Sequence, residues 1–318
     1  MEMTNKYFNQ ETKDRFLNHI DLSKYPPRWY ERVFEKASLL ESDKGRDLYD
    51  FSTMELLEFY KWLDIGNIAS LVVLNSNLGV YTEWALTENL IADNQIHPRE
   101  ITLEVLNTCV SKARINNSIL TFETLKNIRF VNAQDGFVLW CLFEGIKGKE
   151  FEDILNIELG DIDVQNKTVK LHSGRTIKVS DEFIYMAIRA DVEDEYVGFA
   201  TGNQNVTFKL IPSDKIFKQK HQSRGIDLRR AVYSTVSRST RSIPGLNSEQ
   251  NAKSIRDSGF IHYLNERAKS LETSTVKMLY DELENHSGVC KDIIDKYTFN
   301  MNTLKRWAIM YEDYLHDC

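Results

Sequence analysis

Residues 135–145, DGFVLWCLFEG, are nearly all apolar and predict a helix that is buried on every side. Residues 160–179, GDIDVQNKTVKLHSGRTIKV, instead alternate apolar with polar side chains. This period of two, interrupted by turn-forming residues, predicts three short strands in an antiparallel meander, at 161–164, 168–171 and 176–179. A buried helix followed by a small meander is therefore the combination that decides the fold.

The sequence on either side of this combination has helical patterns. A helix is predicted to begin at Arg28 after two prolines, and Ser52 and Glu55 have the spacing of a capping box ahead of another helix. Further helices are predicted at 102–112, 122–130 and 150–159, and from 181 to the C-terminus. We therefore expect a mainly α protein with one small three-stranded antiparallel sheet.

The length and one polar segment indicate two domains. The chain has 318 residues, about twice the usual domain length. Residues 92–98, ADNQIHP, are polar and contain one of only five prolines. We predict a helical domain at 1–92, a linker at 93–101 and a second domain at 102–318.

The composition excludes several classes of protein. No apolar run approaches the roughly 18 residues of a membrane span, and the N-terminus is too charged for a secretory signal. The four cysteines lie far apart, which favours reduced thiols in the cytoplasm. Phosphate-binding glycine loops, zinc-protease motifs and nucleophile elbows are absent from the sequence, and the seven histidines lack metal-ligand spacing. We therefore expect no cofactor, no metal and no membrane contact.

Charge is distributed unevenly along the chain. The net charge is −7, yet residues 209–256 contain 11 Lys and Arg against 3 Asp and Glu. That segment has a balance of +8, and the rest of the chain carries −15. A basic segment in an acidic protein favours docking on one polyanion over indiscriminate binding, although a solvated surface segment is the alternative.

Three further segments accompany the helix and the meander. Residues 145–150, GIKGKE, directly follow the buried helix; residues 251–259 read NAKSIRDSG; and residues 292–297 read DIIDKY. In this order the elements resemble the tyrosine recombinase (phage integrase) family. The resemblance implies a helical core-binding domain followed by a catalytic-type domain with a small sheet.

The resemblance also implies roles for individual residues, and most are changed here. The family holds the scissile phosphate between two arginines, because bidentate guanidinium groups neutralise the charge of the transition state. Arg256 matches the second arginine, but Lys147 stands at the first and Lys253 replaces a histidine. The hairpin lysine of the family has no clear match, Arg175 being nearby, and Tyr297 stands at the nucleophile position. We therefore expect a recombinase fold with a degenerate active site and Tyr297 as a vestigial nucleophile.

Candidate DNA-binding residues come from these positions and from the basic segment. They are Lys147, Lys149, Arg175, Arg229, Arg230, Arg238, Arg241, Lys253 and Arg256. Lys147 and Lys149 are expected at the start of a helix, where backbone N–H groups attract phosphate. Positions 230, 234, 237 and 241 fall on one face of a predicted helix that could lie along a groove. The alternatives are solvated lysines, rim charges, and a salt bridge from Arg256 to Asp257.

Two positions near the C-terminus have competing interpretations. Tyr297 follows Ile293 and Ile294 at helical spacing, which favours core packing over nucleophilic attack. Residues 302–316 predict an amphipathic helix with apolar positions at 304, 307, 308, 311, 314 and 315. That helix either packs on its own domain or mediates self-association.

Within the recombinase family, the degenerate site resembles the integrase-like repressors that maintain prophage lysogeny. The resemblance implies a non-catalytic, sequence-specific repressor that binds operator sites in duplex DNA at the nucleoid of a bacterial host cell. Under this hypothesis the protein has two further partners. One is a second copy of the chain, bound through the C-terminal helix, and the other is an unidentified protein antirepressor. Two alternatives remain open: a divergent recombinase that uses Tyr297, and a helical protein-interaction module without a DNA role.

Overall fold

The computed structural model describes residues 6–21, 27–91, 98–199, 205–221, 225 and 227–315. The chain divides into two compact units, Met1–Ile115 and Asn116–Cys318. The predicted linker at 93–101 lies N-terminal to this division, and its residues 93–97 fall outside the described part of the chain. Residues 98–100 form a 3₁₀ turn that packs against the first unit, since the Asn75 side chain donates to the Pro98 carbonyl at 2.7 Å.

The first unit is helical throughout its described residues. Its helices are α1 (Gln10–His19), α2 (Pro27–Lys44), α3 (Thr53–Trp62), α4 (Ile68–Thr87) and α5 (Leu103–Asn107), and α6 (Lys112–Ser118) crosses the division between the units. The predicted capping box is present, with Ser52 and Glu55 satisfying each other's backbone N–H groups at the start of α3. Phe16 forms the centre of the core, with ring centroids 4.6 Å from Tyr81 and 4.9 Å from Tyr30.

A buried ionic cluster joins α1 and α2 in this unit. The Lys13 Nζ is fully buried and lies 2.7 Å from Glu41 Oε1 and 3.2 Å from Asp47 Oδ2. The Tyr81 hydroxyl donates to Asp47 at 2.9 Å, but Glu41 Oε2 is buried without a hydrogen-bond partner. One ammonium therefore faces two carboxyl groups, one of which has an unsatisfied oxygen.

The second unit is built around one buried helix. Its elements in chain order are α7 (Phe122–Asn127), α8 (Ala133–Phe143), α9 (Glu152–Asn156), β1 (Ile162–Asp163), β2 (Thr168–Lys170), β3 (Thr176–Lys178), α10 (Asp181–Val192), β4 (Glu195–Phe199), β5 (Asn205–Lys209), α11 (Leu228–Ser242), α12 (Ala252–Ser270), α13 (Thr275–Asn285), α14 (Lys291–Lys296) and α15 (Met301–Tyr311). Every residue of α8 is buried, and α10, α11 and α12 pack around it. The apolar stretch at 135–145 therefore forms the core helix that the sequence predicts.

The predicted meander is also present. Strands β1, β2 and β3 pair in sequence order and antiparallel, with Ile162 opposite Val169 and Val169 opposite Ile177. These three side chains are buried, and their polar neighbours face outward. The mainly α class with a three-stranded antiparallel sheet is thus confirmed.

One prediction about the sheets is wrong, because the region after 181 is not helical throughout. Strands β4 and β5 form a separate antiparallel hairpin in which Tyr196 pairs with Phe208. The signal was present in the β-branched and aromatic residues of 195–199 and 205–209 around a glycine-containing turn sequence. Predicted helices also end early: the one at 122–130 ends at Asn127, and the one at 102–112 breaks after Asn107.

Within the part of the chain that the structure describes, no helix is both long and apolar enough to cross a bilayer.

Candidate nucleic-acid interface

The turn after α8 places Lys147 at the surface of the second unit. Gly145 and Gly148 have φ of +79° and +68°, a conformation that glycine adopts without strain. The Lys147 Nζ lies 5.6 Å from the centroid of the Phe151 ring. Burial and the charge of Arg256 lower the pKa of Lys147, and no carboxylate of the described residues pairs with it.

Arg256 on α12 is half-buried beside Tyr297. Its guanidinium lies 4.9 Å from the Phe299 ring centroid, and Nη2 donates to Thr298 Oγ1 at 3.2 Å. Its Nε is buried without a hydrogen-bond partner, and burial lowers the pKa of the side chain. The alternative salt bridge to Asp257 is not formed, because Asp257 Oδ2 accepts from Lys253 at 2.8 Å and from Tyr311 at 3.0 Å.

Arg175 completes this group of cations from the β2–β3 turn. Gly174 precedes it with φ +82°, as the tight turn requires. The guanidinium binds Asp153 Oδ2 at 3.0 Å and the Lys296 carbonyl at 3.0 Å, so two of its donors are already used within the unit. Its charge also lowers the pKa of Arg256. We call Lys147, Arg175 and Arg256 the cation cluster; Lys147 and Arg256 lack a carboxylate partner among the described residues.

Tyr297 lies directly behind the cation cluster and is fully buried. Its hydroxyl donates to the Phe143 carbonyl at the end of α8, and burial raises its pKa well above the usual value. Gly259 on α12 contacts the same carbonyl and the same hydroxyl so closely that a Cβ there would overlap them. The phenol oxygen is therefore part of the packing between α8, α12 and the end of α14.

Lys296, directly before Tyr297, and Glu144, directly after Phe143, belong to a second buried network. The Lys296 Nζ lies 2.6 Å from Glu144 Oε2, which also accepts from the Tyr263 hydroxyl at 2.6 Å. The other oxygen of Glu144 accepts from the backbone N–H and the hydroxyl of Ser180. Sequence reasoning missed this network, because Glu144 and Lys296 are 152 positions apart and their only signal was a charge at the end of an apolar segment.

The predicted face of α11 is exposed along its length. Positions 230, 234, 237 and 241 are all exposed, as is Tyr233 beside them at 58 %. Arg230 and Arg241 have no carboxylate partner within the described residues. This face therefore presents two free guanidinium groups and two hydroxyls to solvent.

Two other arginines of α11 are already paired. Arg229 binds both Glu150 and Asp227. Arg238 binds Asp135 of the core helix at 2.8 Å and lies 5.1 Å from the Tyr196 ring centroid, so it is not an unpaired cation, and its contact with DNA stays a prediction. The reason is the α8–α11 packing, which brings a buried carboxylate next to Arg238.

The lysines outside the cation cluster differ in their surroundings. Lys149 is exposed, but it does not begin an α-helix: Glu150 has φ +52°, and α9 begins only at Glu152. The predicted helix N-terminus at 147–149 is therefore wrong. Lys253 is 61 % exposed, and its ion pair with Asp257 is of the i,i+4 type.

The apolar face of the C-terminal helix is buried within its own unit. Leu304, Trp307 and Tyr311 of α15 are at most 4 % exposed, and the Trp307 ring lies 4.6 Å from that of Phe260. This arrangement favours the packing interpretation, and self-association through the same face would require exchange of α15 between two copies.

Of the described residues, no three His, Cys, Asp or Glu form a group suited to a metal ion.

Comparison with known proteins gives the family. A model of the "MrpR, N-terminal core-binding domain" matches residues 7–87, and a model of the "MrpR, C-terminal catalytic domain" matches residues 120–311. The chain is also 29 % identical over 226 residues to the SPbeta prophage-derived uncharacterized protein YopR of Bacillus subtilis strain 168, which covers 68 % of each chain. The two matched domains lie in the order that the resemblance to tyrosine recombinases implies, and the chain belongs to the MrpR family of recombinase-like proteins.

Proposed function

We propose that this protein is a non-catalytic, sequence-specific DNA-binding protein that represses transcription and maintains a prophage in lysogeny. The observation that carries the proposal is the cation cluster, in which Lys147 and Arg256 form no ion pair with a carboxylate of the described residues while Tyr297 behind them is buried. The match to a core-binding domain supports DNA as the partner. The prophage origin of the YopR relative supports the biological setting.

The cation cluster offers donors to a backbone phosphate. The guanidinium of Arg256 and the Nζ of Lys147 have no carboxylate partner among the described residues and can donate to a phosphate, whereas Arg175 is held in place by Asp153. Charge-assisted bonds to phosphate contribute affinity and orientation without reading sequence. The exposed face of α11 supplies guanidinium and hydroxyl groups that can read base edges in a groove.

Three features argue against catalysis. Lysine at position 147 lacks the bidentate geometry of arginine, and Lys253 is held in an ion pair with Asp257. The Tyr297 hydroxyl donates to a backbone carbonyl inside the core, so attack on a phosphodiester would require α14 to leave its place. Each lost role typically costs a hundredfold or more in rate.

The test begins with genomic fragments selected by the purified full chain at about 150 mM salt, where phosphate contacts are already weakened. We expect a short motif enriched near promoters. On that site, Arg256→Ala should lower the salt dependence of log Kd by about one and weaken binding to all sequences alike. Arg267→Ala on the same helix is the matched control, because Arg267 is paired with Asp292 at 2.5 Å. No enriched motif, or an unchanged slope for Arg256→Ala, would contradict the proposal.

A divergent recombinase is the second candidate, and the "catalytic domain" description of the matched family model is the reason to test it. A nicked duplex carrying the selected motif traps a covalent tyrosine adduct if one forms. We expect no adduct with the wild-type chain. An adduct that disappears in Tyr297→Phe would establish the enzyme and overturn the non-catalytic reading.

The proposal has two further partners besides operator DNA. They are a second copy of the chain and a protein antirepressor. Because the apolar face of α15 is buried in its own unit, a dimer that forms through this helix requires its exchange between two copies. Sedimentation of the full chain with and without operator DNA tests self-association directly.

A further inference from the structure

A second cationic pocket lies apart from the cation cluster, between the β4–β5 hairpin and α11. Its volume is about 240 Å³, and the buried rings of Tyr196 and Phe217 line it. Lys220, Arg230 and Arg238 also line it, together with hydroxyl-bearing residues of α11. The pocket thus combines an aromatic base with basic and hydroxyl groups.

Lys220 is the unusual residue of this pocket. Its Nζ lies 3.5 Å from the Tyr196 ring centroid and 5.6 Å from that of Phe208, and no oxygen acceptor of the described residues binds it. Lys218, two positions earlier, instead donates to the carbonyls of Asp191 and Glu193. An ammonium held only against aromatic rings retains its capacity to donate to an anion.

The charges around the pocket do not cancel. Asp135 is the carboxylate beneath it, and that group already accepts from Arg238 at 2.8 Å and from the Tyr196 hydroxyl at 2.9 Å. Lys220 and Arg230 therefore form no ion pair with a carboxylate of the described residues, although Asp135 acts on Lys220 and Asp227 on Arg230 through longer-range attraction. Burial is the main cause that lowers the pKa of Lys220 to about 8; the charge of Arg238 adds to this effect and the charge of Asp135 opposes it.

We propose that this pocket is a second anion site, which binds a phosphate group through Lys220 and Arg230. The volume corresponds to about eight water molecules, enough for a phosphate with part of an attached group and less than a drug-sized ligand needs. The phosphate could belong to the DNA backbone or to a free small molecule. Only the DNA source rests on the proposed function; the site itself does not.

The first experiment measures inorganic phosphate binding in an Arg256→Ala background, so that the cation cluster contributes little. Binding is followed by titration against chloride at constant ionic strength. We expect Lys220→Met to weaken phosphate binding by at least about tenfold, since one charge-assisted bond is lost while the stem still covers Tyr196. Arg230→Gln is a second test, because Arg230 is exposed and its loss leaves the fold intact. Lys215→Met is the control, since Lys215 pairs with Glu158 outside the pocket. Equal affinities for the parent, Lys220→Met and Arg230→Gln would overturn the proposal.

The second experiment identifies the source of the phosphate. If the pocket holds a DNA phosphate, Lys220→Met lowers the salt dependence of DNA binding by about one, in addition to the effect of Arg256→Ala. If phosphate binding is lost but this slope is unchanged, the pocket serves a free phosphate compound. A wild-type chain that binds no DNA would overturn the proposed function, and the phosphate titration would still decide on the pocket.

Discussion

Arg256 and Lys296 are both basic side chains beside Tyr297, yet their surroundings differ in one respect. Lys296 is buried with its Nζ 2.6 Å from Glu144, whose oxygens are all hydrogen-bonded. Arg256 has a buried Nε with no partner and no carboxylate nearby within ion-pair distance among the described residues. The comparison separates a paired cation from an unpaired one, and we expect the paired one to stabilise the fold and the unpaired one to bind a ligand.

The largest effect that tests this comparison is on stability. Lys296→Met leaves Glu144 buried without its counter-charge, so we expect a loss of about 3–5 kcal/mol in the free energy of unfolding. Arg256→Met removes a cation that has no ion pair, and we expect a change below about 1 kcal/mol. Urea unfolding followed by tryptophan fluorescence and circular dichroism compares the two variants with the wild-type chain; Trp140 and Trp307 report on the second unit, and Trp29, Trp62 and Trp84 on the first. Equal losses for the two variants would contradict the comparison.

The first unit has a buried acidic side chain, Glu41, that is only partly paired: one of its oxygens contacts Lys13 and the other has no hydrogen-bond partner. Glu41 shares Lys13 with Asp47, and burial raises the pKa of Glu41 to about 7. Its folded-state pKa lies above the unfolded value near 4.5, so the folded chain binds more protons between these values. Stability should therefore fall by roughly 2 kcal/mol as the pH rises from about 4.5 to about 7.

The control for this pH dependence is Glu41→Gln, which keeps an oxygen for Lys13 and for the Leu48 N–H. We expect the variant to lose most of the decrease between pH 4.5 and 7, because the amide does not titrate. Thermal unfolding of the wild-type and Glu41→Gln chains at a series of pH values in this range measures the stability of each. A wild-type chain whose stability rises through the same window would contradict the assignment to Glu41.

The smallest expected effect concerns a pair at the surface. Arg229 is bound by Glu150 and Asp227, so its charge and its donor groups are already used by these two carboxylates. We expect Arg229→Ala to leave the salt slope of DNA binding unchanged and to leave stability nearly unchanged. Filter binding across a salt series measures the slope. A slope reduced as much as in Arg256→Ala would show that pairing does not decide which cations bind.

Local patterns in the sequence predict much of this fold. The apolar segment at 135–145 has no polar face, and a helix without a polar face is stable only when it is buried on all sides. The period of two at 161–179 places Ile162, Val169 and Ile177 on one side of a meander, where the structure has them. The β4–β5 hairpin was missed although its strands contain aromatic and β-branched residues, because each strand has only five residues and Gly198 interrupts the first.

The sequence by itself determined the two-domain recombinase-like architecture, the presence of lysines at positions 147 and 253, and the concentration of positive charge in 209–256. Only the tertiary structure decided which of those charges are free. Arg238 pairs with Asp135 across 103 positions and Lys296 with Glu144 across 152. The physical reason is that an ion pair forms where packing brings two side chains within about 4 Å, and periodicity along the chain carries no information about that distance.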